Sequence, residues 1–199
     1  ETMTYKEVRE LAAFGASVFH SDAIAPVMEV GIPINIKNTN DISAFGTMIV
    51  SEKKENGPVG VSQIGTYTKL TCRKLMLYKE PGMINLIHTV LRTYGINPLF
   101  STQGVDTFSL VFEKNTISDK NLISLKNRMI DEFKFDNIDL ENDLAIVGVV
   151  GQQINDDLLY FKKSIEALYE NGIKIYQSVT GSSSLSFFAL VKEEDAKKS

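Results

Sequence analysis

Along this chain the apolar positions switch repeatedly between helical spacing and short strand-like runs. Val8, Leu11 and Ala12 share one face of a helix that opens at "TYKE", where Thr4 and Glu7 stand in capping-box spacing. The helical pattern continues to about residue 30, and a break near "HSDAIAP" divides it into two helices. Strand-like "IPINI" and "GTMIV" follow, and then "SEKKENGPVG", charged and Gly/Pro-bearing, reads as a linker.

Beyond the linker the pattern begins to repeat. From Leu70 the order is strand "LTCRKLMLY", turn "KEPG", and a helix with Met83, Ile87, Val90 and Tyr94 on one stripe, which Gly95 stops. Strands "INPLFS" and "TFSLVFEK" come next, and Ser118 caps a second helix bearing Leu122, Leu125, Met129 and Phe133. A second pass starts at "LAIVGVVG" and runs through a helix with Leu158, Phe161, Ile165 and Leu168 on one face. Gly172 stops it, and strands "IKIYQSV" and "SLSFFALV" follow. A shift of 77 residues lays Leu91 on Leu168, Gly95 on Gly172, Ile96 on Ile173, Gly104 on Gly181 and Ser109 on Ser186 without a gap.

A β-α-β-β-α-β order makes an antiparallel sheet with two helices on one face, the ferredoxin-like arrangement. The expected fold class is therefore α+β, with two such units in tandem after a short helix-and-strand segment. Boundaries are expected at 1–57, 58–141 and 142–199. The second unit is expected to be truncated at "KEEDAKKS", short of its last helix. A start on a helix cap reads as an excerpt from a longer protein.

Composition narrows the partners. The 199 residues are 43% hydrophobic with a net charge of −4, ample for a packed core. No stretch gathers the Lys and Arg that a phosphate backbone requires, so neither nucleic acid nor an anionic membrane surface is an expected partner. No segment has the roughly 18–20 continuous apolar residues of a membrane span. The lone cysteine, Cys72, has no internal disulfide partner and reads as core filler, which fits a reducing cytoplasm.

Candidate chemistry is sparse. His20 and His88 lie in separate segments without a further ligand at metal-binding spacing, so no metal site is expected, and His88 reads as a structural residue on a partly buried face. "GVVGQQ" sits between a strand and a helix but lacks the spacing and the Lys-Ser/Thr of a phosphate-cradling loop. "TGSSSLSF" reads as a tight connection between strands, and Asp156 and Asp157 as first-turn acids stabilised by the helix dipole. No set of residues here would carry a reaction alone. A ligand site is expected where "KEPGMI" and "INPLFSTQG" meet at one end of the sheet. The N–H groups of Met83 and Ile84 would receive a carboxylate there, with Ser101 and Thr102 receiving polar substituents.

Two regions resemble one known family. Glu10, Leu11, Ala12, Phe14, Gly15, Ala16, Val18 and His20 match the pattern E-L-A-x-F-G-A-x-V-x-H that closes the kinase module of aspartate kinases. Ile24 and Pro26, then Ile32, Pro33 and Ile34, then Asn38, Thr39, Gly46 and Thr47 continue the match. Ser21 and Ile42 depart from it, standing where the family usually has Pro. From about Val59 onward the chain resembles the paired ACT domains that follow that module.

The resemblance implies a C-terminal regulatory region with no catalytic residue of its own. The parent enzyme would use ATP and magnesium to phosphorylate the side-chain carboxylate of L-aspartate, on the way to lysine, threonine and methionine. It also implies a homodimer formed through the ACT units, with lysine or threonine bound as feedback effector between subunits. The positions that match the family's contacts are Met76, Gly82, Met83, Ile84, Asn97, Pro98, Ser101, Thr102 and Gln103. Lysine-sensing members carry an Asp in the second strand where this chain has Pro98 or Leu99, and the "YKEPG" loop is one residue longer than usual. Three readings stay open: the effector is not lysine, Glu80 supplies the carboxylate, or the units join subunits and bind nothing.

Overall fold

The computed structural model describes residues 1–16, 21–41, 43–180 and 183–198, with the side chains of 21–23 left aside. His20, Ile42, and Gly181 and Ser182 of "TGSSSLSF" lie outside the described residues. The chain forms two compact units, one of residues 1–64 with 145–199 and the other of residues 65–144. The divisions fall inside two long strands, β4 (Gly57–Arg73) and β7 (Asn137–Gln152), each of which gives one half to each unit.

In the first unit β1 (Thr2–Thr4) leads into α1 (Tyr5–Ala13), and the capping box forms as the spacing requires. The Thr4 side chain accepts the Glu7 N–H, and Glu7 Oε2 accepts the Thr4 N–H at 2.7 Å. α2 (Ser21–Val30) follows, so the helical break comes ahead of "HSDAIAP", and Pro26 is carried inside the helix. β2 (Ile34–Ile36) and β3 (Thr47–Val50) pair antiparallel, and β3 pairs parallel with β1, a strand the apolar pattern did not reveal. Tyr5, Val8, Ile24 and Ile49 form the core beneath. The expected linker is structured: Gly57 already opens β4, and Lys53 Nζ reaches Glu7 Oε1 at 2.7 Å with both side chains buried.

The rest of this unit is the second repeat. α5 (Leu158–Glu170), β8 (Gln177–Val179) and β9 (Ser186–Lys192) follow β7, in sheet order β4-β7-β9-β8. The place beside β7 that a fourth repeat strand would take thus belongs to the first half of β4, the part that precedes the first repeat in the chain. Asp157 is the N-cap of α5, its carboxylate accepting the Leu159 N–H at 2.8 Å, so the two acids precede the first turn rather than lie within it. Leu158 is exposed, while Leu168 joins the core with Val147, Ile154, Phe187 and Val191.

In the other unit the second half of β4 is followed by α3 (Met83–Thr93), β5 (Phe100–Gln103), β6 (Thr107–Glu113), α4 (Asp119–Phe133) and the first half of β7. The order β5-β6-β4-β7 is the ferredoxin-like one. Ser118 caps α4 as expected, and Leu70, Cys72, Ile87, Leu91, Phe108, Leu110, Phe112, Leu125 and Met129 fill the space between sheet and helices. Cys72 is fully buried, and burial pushes its thiol up to about 12. His88 lies half-buried with its ring edge-on to Phe108, centroids 5.9 Å apart, as a packing residue.

The repeat is visible in the helix ends. Gly95 N–H bonds the Arg92 carbonyl and Ile96 N–H the Leu91 carbonyl, and Gly172 and Ile173 make the same pair of bonds to Tyr169 and Leu168. Both helices therefore close on the same two-bond C-terminal motif.

Candidate effector site

The first repeat's β4 stops at Arg73, five residues before the apolar run ends at Tyr78, because two carboxylates claim the backbone beyond it. Asp136 Oδ2 accepts the Leu75 N–H at 3.0 Å, and Asp106 Oδ1 accepts the Met76 N–H at 2.7 Å. The Asp106 carbonyl takes the Lys74 N–H and the Val105 carbonyl takes that of Tyr78. Met76 turns left-handed, at φ 61°, and starts a single 3-10 turn over Leu77–Lys79 that drops Leu77 into the core. Leu75, Met76, Tyr78 and Val105 are left exposed around this loop.

Gly82, at φ 79°, then turns the chain into α3, a conformation that side chains with a Cβ rarely adopt. Met83 is buried beneath the helix and Ile84 is half-buried. The Met83 N–H meets the Glu80 carbonyl at 3.4 Å and the Leu86 N–H meets the Gly82 carbonyl. The N–H groups of Ile84 and Asn85 precede the helical ladder and have no acceptor among the described residues. Glu80 is not a free carboxylate, because Lys74 Nζ holds it at 2.7 Å and also donates to the Phe133 carbonyl.

Ser101, Thr102 and Gln103 are exposed on β5, which bonds β6 along one side and ends the strand order on the other. The expectation that the start of this strand meets the Pro81-Gly82 loop does not hold. β5 and β4 both run antiparallel to β6, so the end of β5 and the hairpin at Asp106 return to the loop, while its start lies beside Tyr67 and Glu113. Asn97 and Pro98 are therefore about 20 Å of strand away from Met76, Gly82 and Met83, at roughly 3.4 Å per residue. The structure brings Met76, Gly82, Met83 and Ile84 together near Gln103, and leaves Asn97 and Pro98 at the opposite end.

Asn97 and Pro98 instead line a groove of about 470 Å³ with Tyr67, Gly95, Leu99, Glu113 and Thr116. Burial, then the nearby Glu113 carboxylate, pushes the Tyr67 hydroxyl above its ordinary range. Asp106, Asp136, Tyr67 and Glu113 were not singled out from the sequence. The β5-β6-β4-β7 order of the expected fold was the signal that pairs Asp106 with the loop.

In the second repeat Gln153, at φ 60°, turns where Met76 turns in the first. There the Asn155 side-chain amide donates to the Ser183 and Ser186 carbonyls, pinning the loop to the hairpin. "GVVGQQ" holds its glycines for packing: a Cβ at Gly148 would strike the Phe188 ring, and one at Gly151 the Gly57 carbonyl. The α1 motif also meets this repeat, with Glu10 Oε2 accepting from the Ser186 hydroxyl at 3.1 Å and Phe14 packed against Phe188, ring centroids 3.8 Å apart and planes tilted by 37°. Among the described residues no three His, Cys, Asp or Glu side chains gather as metal ligands, and no helix is long and apolar enough to cross a membrane.

The chain is 30% identical over 198 residues to Aspartokinase 3 of Bacillus subtilis, matching 98% of its own length and 44% of that protein. It superimposes on Clostridium acetobutylicum aspartate kinase with a TM-score of 0.90 and 32% identity, over all of this chain and 46% of the other. Over nearly its whole length the chain is similar to aspartate kinases. Its fold is that of two tandem ferredoxin-like ACT domains after a short helix-and-strand segment. Two further structures share the fold. The regulatory subunit of Thermus thermophilus aspartate kinase matches 71% of this chain and 91% of its own, at TM-score 0.62 and 18% identity. E. coli aspartokinase III in complex with lysine and aspartate matches all of this chain and 44% of its own, at TM-score 0.77 and 22% identity. No family model matches the chain. The chain spans less than half the length of the Bacillus and Clostridium proteins.

Proposed function

We propose that this region senses a feedback amino acid, lysine or threonine, for an enzyme that phosphorylates the side-chain carboxylate of L-aspartate with ATP and magnesium. The nucleotide and the metal belong to the rest of the enzyme, since the one loop here with phosphate-loop character uses its glycines for close packing. The region itself does no chemistry and acts by binding.

The observation that carries this reading is the open edge of β5, with the two halves of the expected site at its opposite ends. An unpaired strand edge bearing exposed Ser101 and Thr102 is a template for a second strand. A copy of the chain added antiparallel across β5 places the Asn97–Pro98 end of one subunit against the Met76–Ile84 end of the other. The free N–H groups of Ile84 and Asn85 then face the partner's groove, where a carboxylate suits them. The exposed Leu75, Met76, Tyr78 and Val105 are covered in the same step. The lysine complex of E. coli aspartokinase III supports an amino-acid ligand for such a fold. Binding would bias one of two subunit arrangements and so open or close the kinase site.

The test is Gly82→Asp in the full-length enzyme. Nothing lies within 4 Å of the position of a Cβ there, so an added side chain meets no clash and pays only the strain of the left-handed backbone, and its carboxylate stands in front of the helix N-terminus. Inhibition by the effector is lost if the site is real; unchanged inhibition contradicts it. The pairing of Glu80 with Lys74 favours a second reading, subunit joining without a ligand, because it removes a carboxylate that an effector's ammonium group would use.

A further inference from the structure

We propose that the stretch from Glu10 to Gly15 is an interaction surface whose partner is the second repeat, and that regulation passes through it from the repeat to the rest of the enzyme. The regulatory half of this inference rests on the sensor reading, and the docking half stands without it.

α1 packs in two directions. Tyr5 and Val8 join the helix-and-strand core with Ile24 and Ile49. Glu10, Leu11 and Phe14, which match the close of a kinase module, turn instead to the sheet of the second repeat. Phe187, Ala189 and Val191 pack with Leu168 of α5 on one face of that sheet, so the alternation of β9 leaves Ser186 and Phe188 on the other. There Ser186 donates to Glu10, the Phe14 ring packs against Phe188, and Leu11 rests on Gly60. Two glycines let the surfaces close. A Cβ at Gly60 would stand 3.1 Å from Leu11 Cδ2, and one at Gly15 would stand 2.2 Å from the Gln63 carbonyl oxygen.

The two repeats differ at this face. A shift of 77 residues lays Ser186 on Ser109 and Phe188 on Val111. Ser109 shares a hydroxyl hydrogen bond with Thr71, its neighbour in the same sheet, at 3.1 Å. Ser186 is buried and gives its hydroxyl proton to α1 instead, and Phe188 supplies a ring where the first repeat has a valine. A hydrogen bond to a carboxylate is among the stronger kinds and holds only over a narrow range of distance and angle. Displacement of β9 therefore carries α1 with it. β1 leads directly into α1 and pairs with β3, so the displacement reaches the strands of the kinase-type segment. An effector that biases one subunit arrangement acts on the enzyme along this route.

Native-state hydrogen exchange on the chain tests the docking. Glu10→Ala and Ser186→Ala are each expected to speed exchange of the α1 amides by about fivefold or more and to leave those of α3 and α4 unchanged. Glu10→Gln keeps an oxygen that accepts from Ser186 and is expected to exchange as the wild type does. In the full-length enzyme Glu10→Ala and Ser186→Ala are expected to raise the lysine or threonine concentration that half-inhibits by about fivefold or more, with kcat within about twofold of wild type and Glu10→Gln inhibited normally. Unchanged α1 exchange in both alanine variants overturns the docking. Faster exchange with unaltered inhibition, or kcat lost together with inhibition, overturns the regulatory route while the sensor reading stands. A wild-type enzyme that neither amino acid inhibits overturns the sensor reading and the route together, and the exchange rates still decide the docking.

Discussion

Met76 and Gln153, which a shift of 77 residues superimposes, both stand in the left-handed region, at φ 61° and 60°. Neither is glycine; Met76 stands three residues past the first strand of its repeat and Gln153 directly after its own. The shared backbone turn shows that the duplication extends to how each unit leaves its sheet. It also carries strain, since an L-residue in this conformation costs about 1–2 kcal/mol.

Met76→Gly and Gln153→Gly should therefore each stabilise the chain by about 0.5–1 kcal/mol, the relieved strain being offset in part by the freer unfolded chain. Both side chains are exposed, so little packing is lost. Urea unfolding of each variant checks this, and a loss of stability at either position would mean its side chain makes contacts of value.

Glu7 has no exposed surface, and its carboxylate serves both Thr4 and Lys53. Replacing one member of a buried pair leaves the other charge unmatched, so Glu7→Gln should destabilise by about 3–5 kcal/mol. Lys53→Met should cost markedly less when added to Glu7→Gln than when made alone. A double-mutant cycle read by thermal unfolding gives the coupling, and additive losses would show the pair to be independent.

Cys72 should respond to base rather than to thiol reagents. Burial raises its thiol to about 12 in the folded chain, above the ordinary 9.0. Below pH 9 both states are protonated and the stabilisation is fully present. Between pH 9 and 12 the unfolded chain loses a proton that the folded chain keeps, so stability falls with rising pH, by about 1.4 kcal/mol per unit at the steepest. Urea unfolding from pH 8 to 10.5 should show a steeper decline for the wild type than for Cys72→Ala. Parallel slopes would place the thiol in a solvated site.

Much of this fold is legible in the chain because its signals are local. The Thr4/Glu7 capping box, the Ser118 cap and the Gly95 and Gly172 stops each depend on a few neighbouring residues, and the structure has all of them. The strand ends were less legible. "LTCRKLMLY" is apolar throughout, yet β4 ends at Arg73 because Asp106 and Asp136, far away in sequence, take the next N–H groups. β1 was hidden because three residues are too few to show a period. The site was half legible. Its Pro81-Gly82 turn and the Met83 helix follow from composition. Which end of β5 faces them depends on strand direction, a property of the whole sheet.

The central claim is that an amino-acid effector is bound between two copies of this region. The most direct measurement is calorimetric titration of the chain with lysine, threonine and methionine, with sedimentation velocity on the same samples. The account predicts a dimer and saturable binding of lysine or threonine, one ligand per site. An intact dimer that binds none of the three would contradict the sensor and leave the region as a device for joining subunits.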